Sequence, residues 1–204
     1  MSRTRWLIAM MICLFFYGVS QAQPAPEGFY WYKVKPGDTL SKIAPREHWE
    51  IIKRVNRIDE RHLPAGKKIL LFLSLEKAKE FVPVPEFMED FKNVGQAIQV
   101  FLKIQYFAAY REGQLLFWGP ISSGNADYPT LKGEFTALWK ARNYFSRKYE
   151  MEMPYAVCFS NKGYFLHSQS LPGRPASHGC VRLLPEDAKK LFDWIKKGDL
   201  IVVE

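Results

Sequence analysis

A proline-containing segment near the middle of the chain separates two stretches with different sequence patterns. Pro83 and Pro85 alternate with valines in "VPVPE", which favours an extended, polyproline-like conformation. The stretch before it mixes short strand-like and helical patterns, whereas the stretch after it is rich in β-branched and aromatic residues. We therefore predict two domains, joined by a linker over residues 74–95 that holds them apart.

Residues 30–73 predict a small α+β domain with the order strand, helix, helix, strand (βααβ). Alternation around Tyr32 indicates a strand, and Asp38 or Thr39 can cap a first helix. Apolar residues recur at helical spacing from Trp49, which indicates a second helix. After the turn-forming "LPAG", the run "KKILLFL" predicts the last strand.

The segments "YKVKPGDTLSKIA", "RVN" and "LPAGKKILL" resemble a LysM domain, the small module that binds N-acetylglucosamine chains in peptidoglycan and chitin. The resemblance implies a shallow glycan groove between two loops. The candidate glycan-binding residues are Gly37, Asp38 and Thr39 in the first loop, and Ile58 and Asp59 in the second. Gly37 and Asp38 could instead serve only the turn and the helix cap.

Residues 96–204 predict a mainly β domain with one clear helix. Five segments have the composition of strands, and "REG" and "NKG" between them are typical of hairpin turns. The helix is "PEDAKKLFDWIKK", in which apolar residues share one face. Pro185 suits its first turn, and Gly198 follows its end.

The stretch "HSQSLPGRPASHGCVRLL" contains the most reactive side chains of this second domain. His167 ends a predicted strand, and turn-forming residues between it and Cys180 allow the imidazole to approach the thiol. A thiol is mostly protonated at neutral pH, and a neighbouring base can generate the reactive thiolate. Gly179 permits close approach of a substrate, and N–H groups near Cys180 could receive an oxyanion.

Two other roles compete for Cys180. A disulfide with Cys158 is compatible with export, but Cys158 lies in an alternating strand, which favours a buried free thiol. Zinc could use both cysteines with His167 and His178, but no tight Cys-x-x-Cys or His-x-x-x-His pair is present. A nucleophile is therefore favoured, and we expect neither a metal nor an organic cofactor.

His167 followed by "SHGCVR" resembles the signature of the L,D-transpeptidase catalytic domain, and the similarity spans residues 96–204. The resemblance implies a β-sandwich fold, with Cys180 attacking the third residue of a peptidoglycan stem peptide and releasing D-alanine. His167 would be the base, oriented by the main-chain carbonyl of Ser168. The acyl acceptor would be an amine of a neighbouring stem, giving a 3→3 crosslink, or water, as in an L,D-carboxypeptidase.

The same resemblance implies which residues surround the reacting atoms. His178 and Gly179 would shape the site beside the thiol, and Arg182 and Ser177 would lie at the substrate. The Ser177 hydroxyl could instead bond the backbone of its turn, and Arg182 could be an ordinary surface ion-pair former.

The first 22 residues resemble a secretory signal, with "MSRTR", an apolar run of 14 residues from Trp6 to Val19, and the small residues of "SQA". The run is shorter than the ~20 residues of a bilayer span, so we expect cleavage and no stable membrane span. Loss of two arginines lowers the formal net charge from +8 to +6. An exported basic protein suits anionic wall polymers better than nucleic acid, although the charge could serve solubility alone.

We therefore expect a protein of the periplasm or cell-wall space whose partners are the stem peptides and glycan strands of peptidoglycan. A low-pKa thiol there would be open to sulfenylation, which would make a thiol reductase a further partner. A non-catalytic LysM wall-binding protein is the alternative, but the complete set of His167, "SHGC" and Arg182 disfavours it. A papain-like protease would need an Asn or Asp partner for the histidine, which is not evident.

Overall fold

The computed structural model describes residues 24–204, so the predicted signal lies outside the described residues. Its elements are β1 (Phe29–Lys33), α1 (Leu40–Ile43), α2 (Trp49–Asn56), β2 (Lys68–Phe72), α3 (Leu75–Lys79), β3 (Ala97–Phe101), β4 (Tyr106–Arg111), β5 (Gln114–Ser122), β6 (Gly133–Thr136), β7 (Trp139–Ser146), β8 (Met151–Ser160), β9 (Tyr164–Ser168), β10 (Val181–Leu183), α4 (Pro185–Trp194) and β11 (Leu200–Val203). Short 3-10 turns lie at Arg46–His48 and Glu89–Phe91. Within residues 24–204, no helix has the length and apolar character needed to cross a membrane.

The N-terminal domain has the predicted βααβ order. Strands β1 and β2 pair antiparallel, with Phe29 opposite Phe72, and both helices pack on them. Asn56 at the end of α2 is buried and ties that helix to β2. Its Nδ2 donates to the carbonyls of Ile52 and Leu70 at 2.8 Å, and its Oδ1 accepts from the Leu70 N–H at 2.6 Å. These bonds fix the loop that follows α2.

The C-terminal domain is a nine-stranded sheet in the order β6-β11-β3-β4-β5-β10-β9-β8-β7. The sheet curls on itself, because Phe135 of β6 packs edge-on against Phe159 of β8 with ring centroids 5.3 Å apart. The main core lies inside this curl and is closed by Ala188 and Leu191 of α4. The predicted mainly β sandwich with one clear helix is confirmed.

The segment between the domains packs against both of them. Ala78 of α3 joins the core of the N-terminal domain, and Val84 and Phe91 are buried on the outer face of β3 and β4. The Tyr110 hydroxyl also donates to the Pro85 carbonyl at 2.8 Å. The prediction that this segment holds the domains apart is wrong, because its apolar side chains are buried on the sheet instead of remaining solvated.

Helix α2 forms much of the direct contact between the domains. Arg54 Nη1 donates to Asp187 Oδ1 of α4 at 2.7 Å, and Arg54 Nη2 donates to the Trp118 carbonyl. The Tyr106 hydroxyl donates to the Val55 carbonyl at 2.9 Å. Burial raises the pKa of Asp187 to about 6 even though Arg54 lies beside it, and its Oδ2 has no hydrogen-bond partner among the described residues. The helix therefore contributes one face to each domain.

Candidate active site

The register of two neighbouring parallel strands brings the reactive side chains together. Leu166 of β9 lies opposite Val181 of β10, and both are buried in the main core. Because side chains alternate along a strand, His167 and the opposing Arg182 lie on the other face, together with Cys180. These three line a cavity of about 170 Å³ with Tyr149, Met151, Met153, Ser177 and His178.

The imidazole of His167 is fixed in one orientation and one tautomer. The side chain is buried, and its Nδ1 lies 2.9 Å from the Ser168 carbonyl oxygen. A carbonyl only accepts, so Nδ1 carries the hydrogen and Nε2 keeps its lone pair. Burial lowers the pKa of His167 to about 4, and the Arg182 charge acts in the same direction. At neutral pH the histidine is therefore a neutral base.

Cys180 is half-buried against Met153, Cys158 and Phe165. Burial raises the pKa of its thiol above the ordinary value, although a hydrogen bond from the Phe165 backbone and the charge of Arg182 oppose the shift. The resting site therefore holds a neutral thiol beside a neutral imidazole. The prediction of a low-pKa thiol is wrong for the free protein, and this removes the reason for expecting a thiol reductase as a partner.

The turn before the cysteine depends on Ser177 and Gly179. The buried Ser177 hydroxyl donates to the Cys180 carbonyl and accepts from the Gly179 N–H at 3.0 Å, so it is committed to the backbone of its own turn. Gly179 has φ 112°, and a Cβ there would lie 2.8 Å from Cε1 of Tyr164. Only glycine fits this position without strain.

A loop between β5 and β6 supports this turn, and the sequence reasoning did not identify its role. The Thr130 hydroxyl donates to the Gly179 carbonyl and accepts from the Gly124 N–H, both at 2.8 Å. The Ser177 N–H donates to the Ser123 carbonyl at 3.0 Å. The turn-forming residues of "SSGNADYPT" were the available signal, but they do not reveal which distant segment the loop supports.

Two tyrosines enclose His178, and neither was predicted as a site residue. Tyr149 stacks on the imidazole at 5.3 Å between ring centroids, and Tyr128 approaches it at 4.7 Å. Tyr149 and His178 separate the small cavity from a second one of about 410 Å³, which also contains Lys148 and Lys162. His178 thus lies at the boundary between the two cavities, of which the smaller contains Cys180.

The first predicted glycan loop is open to solvent. Gly37 has φ 80° and is exposed. Asp38 accepts from the Lys35 N–H at 2.7 Å and from the Tyr32 hydroxyl at 2.9 Å, and these bonds lower the pKa of its carboxyl. Thr39 precedes α1 without a side-chain cap bond. The backbone of this loop is accessible to a ligand.

The second predicted glycan loop faces the C-terminal domain. Ile58 is 0% exposed and pairs with Pro172 in an isolated β-bridge. Asp59 bonds through both its N–H and its carboxylate to Leu171. In this arrangement Ile58 offers no surface to a glycan, because the other domain covers it.

The disulfide considered for Cys180 is absent from the described residues. Cys158 and Cys180 are both free thiols, and Cys158 is buried as predicted. No group of three or more His, Cys, Asp or Glu side chains within residues 24–204 is arranged to hold a metal ion.

The opposite pKa shifts of two buried groups, His167 and Asp187, predict two pH effects on stability that nearly cancel. His167 has a folded pKa of about 4 against 6.5 unfolded, so the unfolded state binds the extra proton between these values. Through His167 alone, the free energy of unfolding rises by about 3 kcal/mol from pH 4 to 6.5. Asp187 has a folded pKa of about 6 against 3.8 unfolded, so its contribution falls as pH rises through nearly the same window.

We therefore expect the wild-type unfolding free energy to change little between pH 4 and 6.5. In Asp187→Asn the histidine contribution should appear alone, as a rise of about 3 kcal/mol with pH. Urea denaturation at several pH values measures both curves. Parallel curves for the two proteins would show that Asp187 titrates near its ordinary value.

The family model of the YkuD L,D-transpeptidase catalytic domain matches residues 95–203, and the LysM domain model matches residues 32–72. Among curated proteins, L,D-transpeptidase 1 of Mycobacterium tuberculosis is 31% identical over 140 residues, which are 60% of this chain and 56% of that protein. Probable L,D-transpeptidase 3 of the same species is 30% identical over 102 residues, 42% of this chain and 38% of the relative. The chain thus spans about half or less of the length of these relatives.

Solved structures agree with the assignment of the fold. An L,D-transpeptidase from Mycobacterium smegmatis has a TM-score of 0.51 at 28% identity, covering 54% of this chain and 58% of that chain. An L,D-transpeptidase from Stackebrandtia nassauensis has a TM-score of 0.51 at 32% identity, covering 54% and 55%. The shared part corresponds in length to the C-terminal domain.

Proposed function

Because the chain belongs to the L,D-transpeptidase family, whose catalytic-domain model matches residues 95–203, we propose that it is an exported peptidoglycan L,D-transpeptidase. It would transfer the acyl group of a tetrapeptide stem from D-alanine to an amine, forming a 3→3 crosslink or a related wall product. The observation that carries this proposal is the placement of Cys180, His167 and Arg182 on one face of two parallel strands, around one cavity.

The proposed reaction begins with the neutral pair. His167 Nε2 takes the Sγ proton as Cys180 attacks the carbonyl carbon of the third stem residue, so no charged thiolate has to persist in the resting site. The carbon–nitrogen bond to D-alanine then breaks. His167 returns the proton to the leaving amine, and a thioester remains on Cys180.

The second half of the reaction reverses these proton movements. An acceptor amine attacks the thioester carbonyl, and its proton passes to His167 Nε2. The carbon–sulfur bond breaks, and the sulfur recovers its proton from the imidazole. Water in place of the amine would give the tripeptide, the product of an L,D-carboxypeptidase.

Charge stabilisation would come from groups close to Cys180. The Gly179 N–H is already bonded to Ser177 Oγ, which leaves the N–H groups of His178 and Cys180 as the candidates for binding the oxyanion. Arg182 is half-buried in the cavity wall, and its guanidinium can pair with a carboxylate of the donor stem. Ser177 acts on the turn more directly than on the substrate.

The N-terminal domain would hold the protein on its polymeric substrate. The match to the LysM model and the exposed backbone of residues 37–39 support glycan binding by Gly37, Asp38 and Thr39. A bound glycan raises the local concentration of stem peptides around the cavity. Peptidoglycan as substrate supports a location in the periplasm or cell-wall space.

Mass spectrometry of the protein mixed with a disaccharide-tetrapeptide tests the proposal. We expect loss of D-alanine, a crosslinked dimer, and a transient acyl adduct on the peptide that contains Cys180. Release of tripeptide without dimer would replace transpeptidation by hydrolysis. Retained binding to intact wall, with neither adduct nor product, would overturn the proposal in favour of a non-catalytic wall-binding protein.

A further inference from the structure

The segment that follows the catalytic histidine is held by the other domain. Residues 169–173 continue directly from His167 and Ser168 at the end of β9. Leu171 in this segment is 0% exposed, as is Ile58, and the isolated bridge between Ile58 and Pro172 joins the two domains here. A loop of the N-terminal domain therefore forms part of the wall behind the site.

Asp59 makes two of the bonds across this contact. Its N–H donates to the Leu171 carbonyl at 3.0 Å, and its Oδ2 accepts from the Leu171 N–H at 2.8 Å. A third bond runs from the Gly173 N–H to the Arg57 carbonyl at 3.0 Å. We call these three bonds the Asp59 clamp. No other side chain takes part in them, so Asp59 is the residue at which the clamp can be altered by substitution.

The carboxylate of Asp59 is itself fixed in place. Its Oδ1 accepts from the Arg61 N–H at 2.8 Å and lies 2.7 Å from His62 Nδ1. Burial opposes ionisation, but the bonds from His62, Leu171 and Arg61 outweigh it and lower the pKa of Asp59. The bond to Leu171 is thus made by a charged acceptor, and such bonds are roughly twice as strong as neutral ones.

The clamp lies three residues from the carbonyl that orients the catalytic base. The Ser168 carbonyl accepts from His167 Nδ1, and the next N–H in the chain, that of Gln169, donates to the Leu183 carbonyl at 3.1 Å. Strand β10 therefore holds this peptide from one side, and the clamp holds the chain just beyond it. A cleft of about 550 Å³, lined by Asp59 and Ser168 among others, lies alongside. It would give an unclamped segment room to move.

We propose that Asp59 is a positioning residue for the catalytic histidine: by clamping residues 169–173, it fixes the Ser168 carbonyl and hence the direction of His167 Nε2. The reaction that His167 assists is the proposed one, so this inference rests on the proposed function. The contacts of Asp59 that carry it do not depend on that proposal. It gives Asp59 a role different from the glycan contact that the sequence resemblance implied. The N-terminal domain then contributes to the chemical step as well as to tethering.

Substitution of Asp59 separates a positioning role from a binding role. In Asp59→Ala we expect kcat with a soluble disaccharide-tetrapeptide to fall about 10- to 100-fold, since misplacement by about 1 Å can cost 10²-fold, while KM changes less than about threefold. Asp59→Asn keeps one side-chain oxygen that can accept from Leu171, so it should recover most of the lost kcat. A rise in KM at unchanged kcat would overturn the inference and make Asp59 a substrate contact.

A second readout does not depend on transpeptidation. The rate at which iodoacetamide alkylates Cys180, followed on its own peptide by mass spectrometry from pH 5 to 10, reports how well His167 assists the thiol. We expect the rate at pH 7 to fall at least about fivefold in Asp59→Ala and the profile to move to higher pH. An unchanged profile would refute the positioning role, whatever reaction the wild type performs.

Ser74→Ala is the matched control. The Ser74 hydroxyl accepts from the Lys77 N–H at the start of α3, so its loss weakens the N-terminal domain without touching the clamp. We expect its kcat and alkylation profile to match the wild type. Equal effects in Ser74→Ala and Asp59→Ala would show general destabilisation and overturn the inference. If Asp59→Ala does not fold, Asp59→Asn should still alkylate more slowly at pH 7 than Ser74→Ala, because its neutral oxygen is a weaker acceptor for the Leu171 N–H than the carboxylate. Equal rates in these two variants would overturn the inference.

Discussion

Replacing Cys180 with alanine is expected to abolish the acyl adduct and to lower turnover of the tetrapeptide donor on the order of 10⁶-fold, the scale seen when a covalent acyl-transfer enzyme loses its nucleophile. The physical reason is specific to this site. His167 is a neutral base with Nε2 free to accept a proton, but without Cys180 no acyl adduct can form, and only water or an acceptor amine could attack the donor directly. Intact-protein mass and product analysis measure the two losses together.

Cys158→Ala is the matched control for that substitution. Cys158 is the other free cysteine of the described residues, buried on β8 and packed in the same cluster as Cys180. Its loss removes one small buried group at a cost of about 1 kcal/mol, but should leave adduct formation within a factor of a few. An adduct that survives in Cys180→Ala and disappears in Cys158→Ala would make Cys158 the nucleophile and contradict the prediction.

Arg54→Ala is expected to lower the free energy of unfolding by about 3–5 kcal/mol at pH 7. The substitution leaves the Asp187 carboxyl, whose side chain is only 5% exposed, without its 2.7 Å ion pair. Removing one member of a buried pair costs this much because the remaining carboxyl must either stay desolvated as a charge or take up a proton at pH 7. The Trp118 carbonyl and the indole face that Arg54 covers at 4.9 Å lose their partner as well. Urea denaturation measures the change.

Arg142→Ala provides the same change of side chain at an exposed ion pair. Arg142 lies 3.9 Å from Asp193, both side chains are largely solvated, and the expected loss is within about 0.5 kcal/mol. Adding Asp187→Asn to Arg54→Ala should recover part of the stability, since it removes the stranded charge. Equal small losses in Arg54→Ala and Arg142→Ala would show that the domain contact is not coupled to unfolding.

Features set by local chemistry could be predicted from the sequence. The "REG" and "NKG" turns lie where expected, between β4 and β5 and between β8 and β9. Pro185 opens α4 as the pattern indicated. Turns and first-turn prolines are determined by the backbone preferences of a few adjacent residues, so a short window contains the necessary information.

Features set by contacts between distant parts of the chain could not be predicted from the sequence. Arg54 lies on the predicted second helix and Ile58 in the loop that follows it, and nothing in the local pattern shows that the second domain pairs Arg54 and buries Ile58. Thr130 bonds Gly179 across 49 residues, and nothing in its neighbourhood signals this. The motif placed Cys180 and His167 in one site by resemblance, whereas the parallel register of β9 and β10 that brings them together is a property of the whole sheet.

Helix α2 belongs to both domains, and this has a consequence for the choice of stem peptides along a polymer. A catalytic domain on a flexible tether can reach every stem within the length of its linker. Here the first loop of the N-terminal domain and the cavity at Cys180 are parts of one docked body. A glycan strand bound at residues 37–39 would present its stems at fixed rotational intervals. Only stems leaving the strand at a matching angle and distance would enter the cavity. The fixed arrangement of the two domains would therefore select stems by their position along the strand.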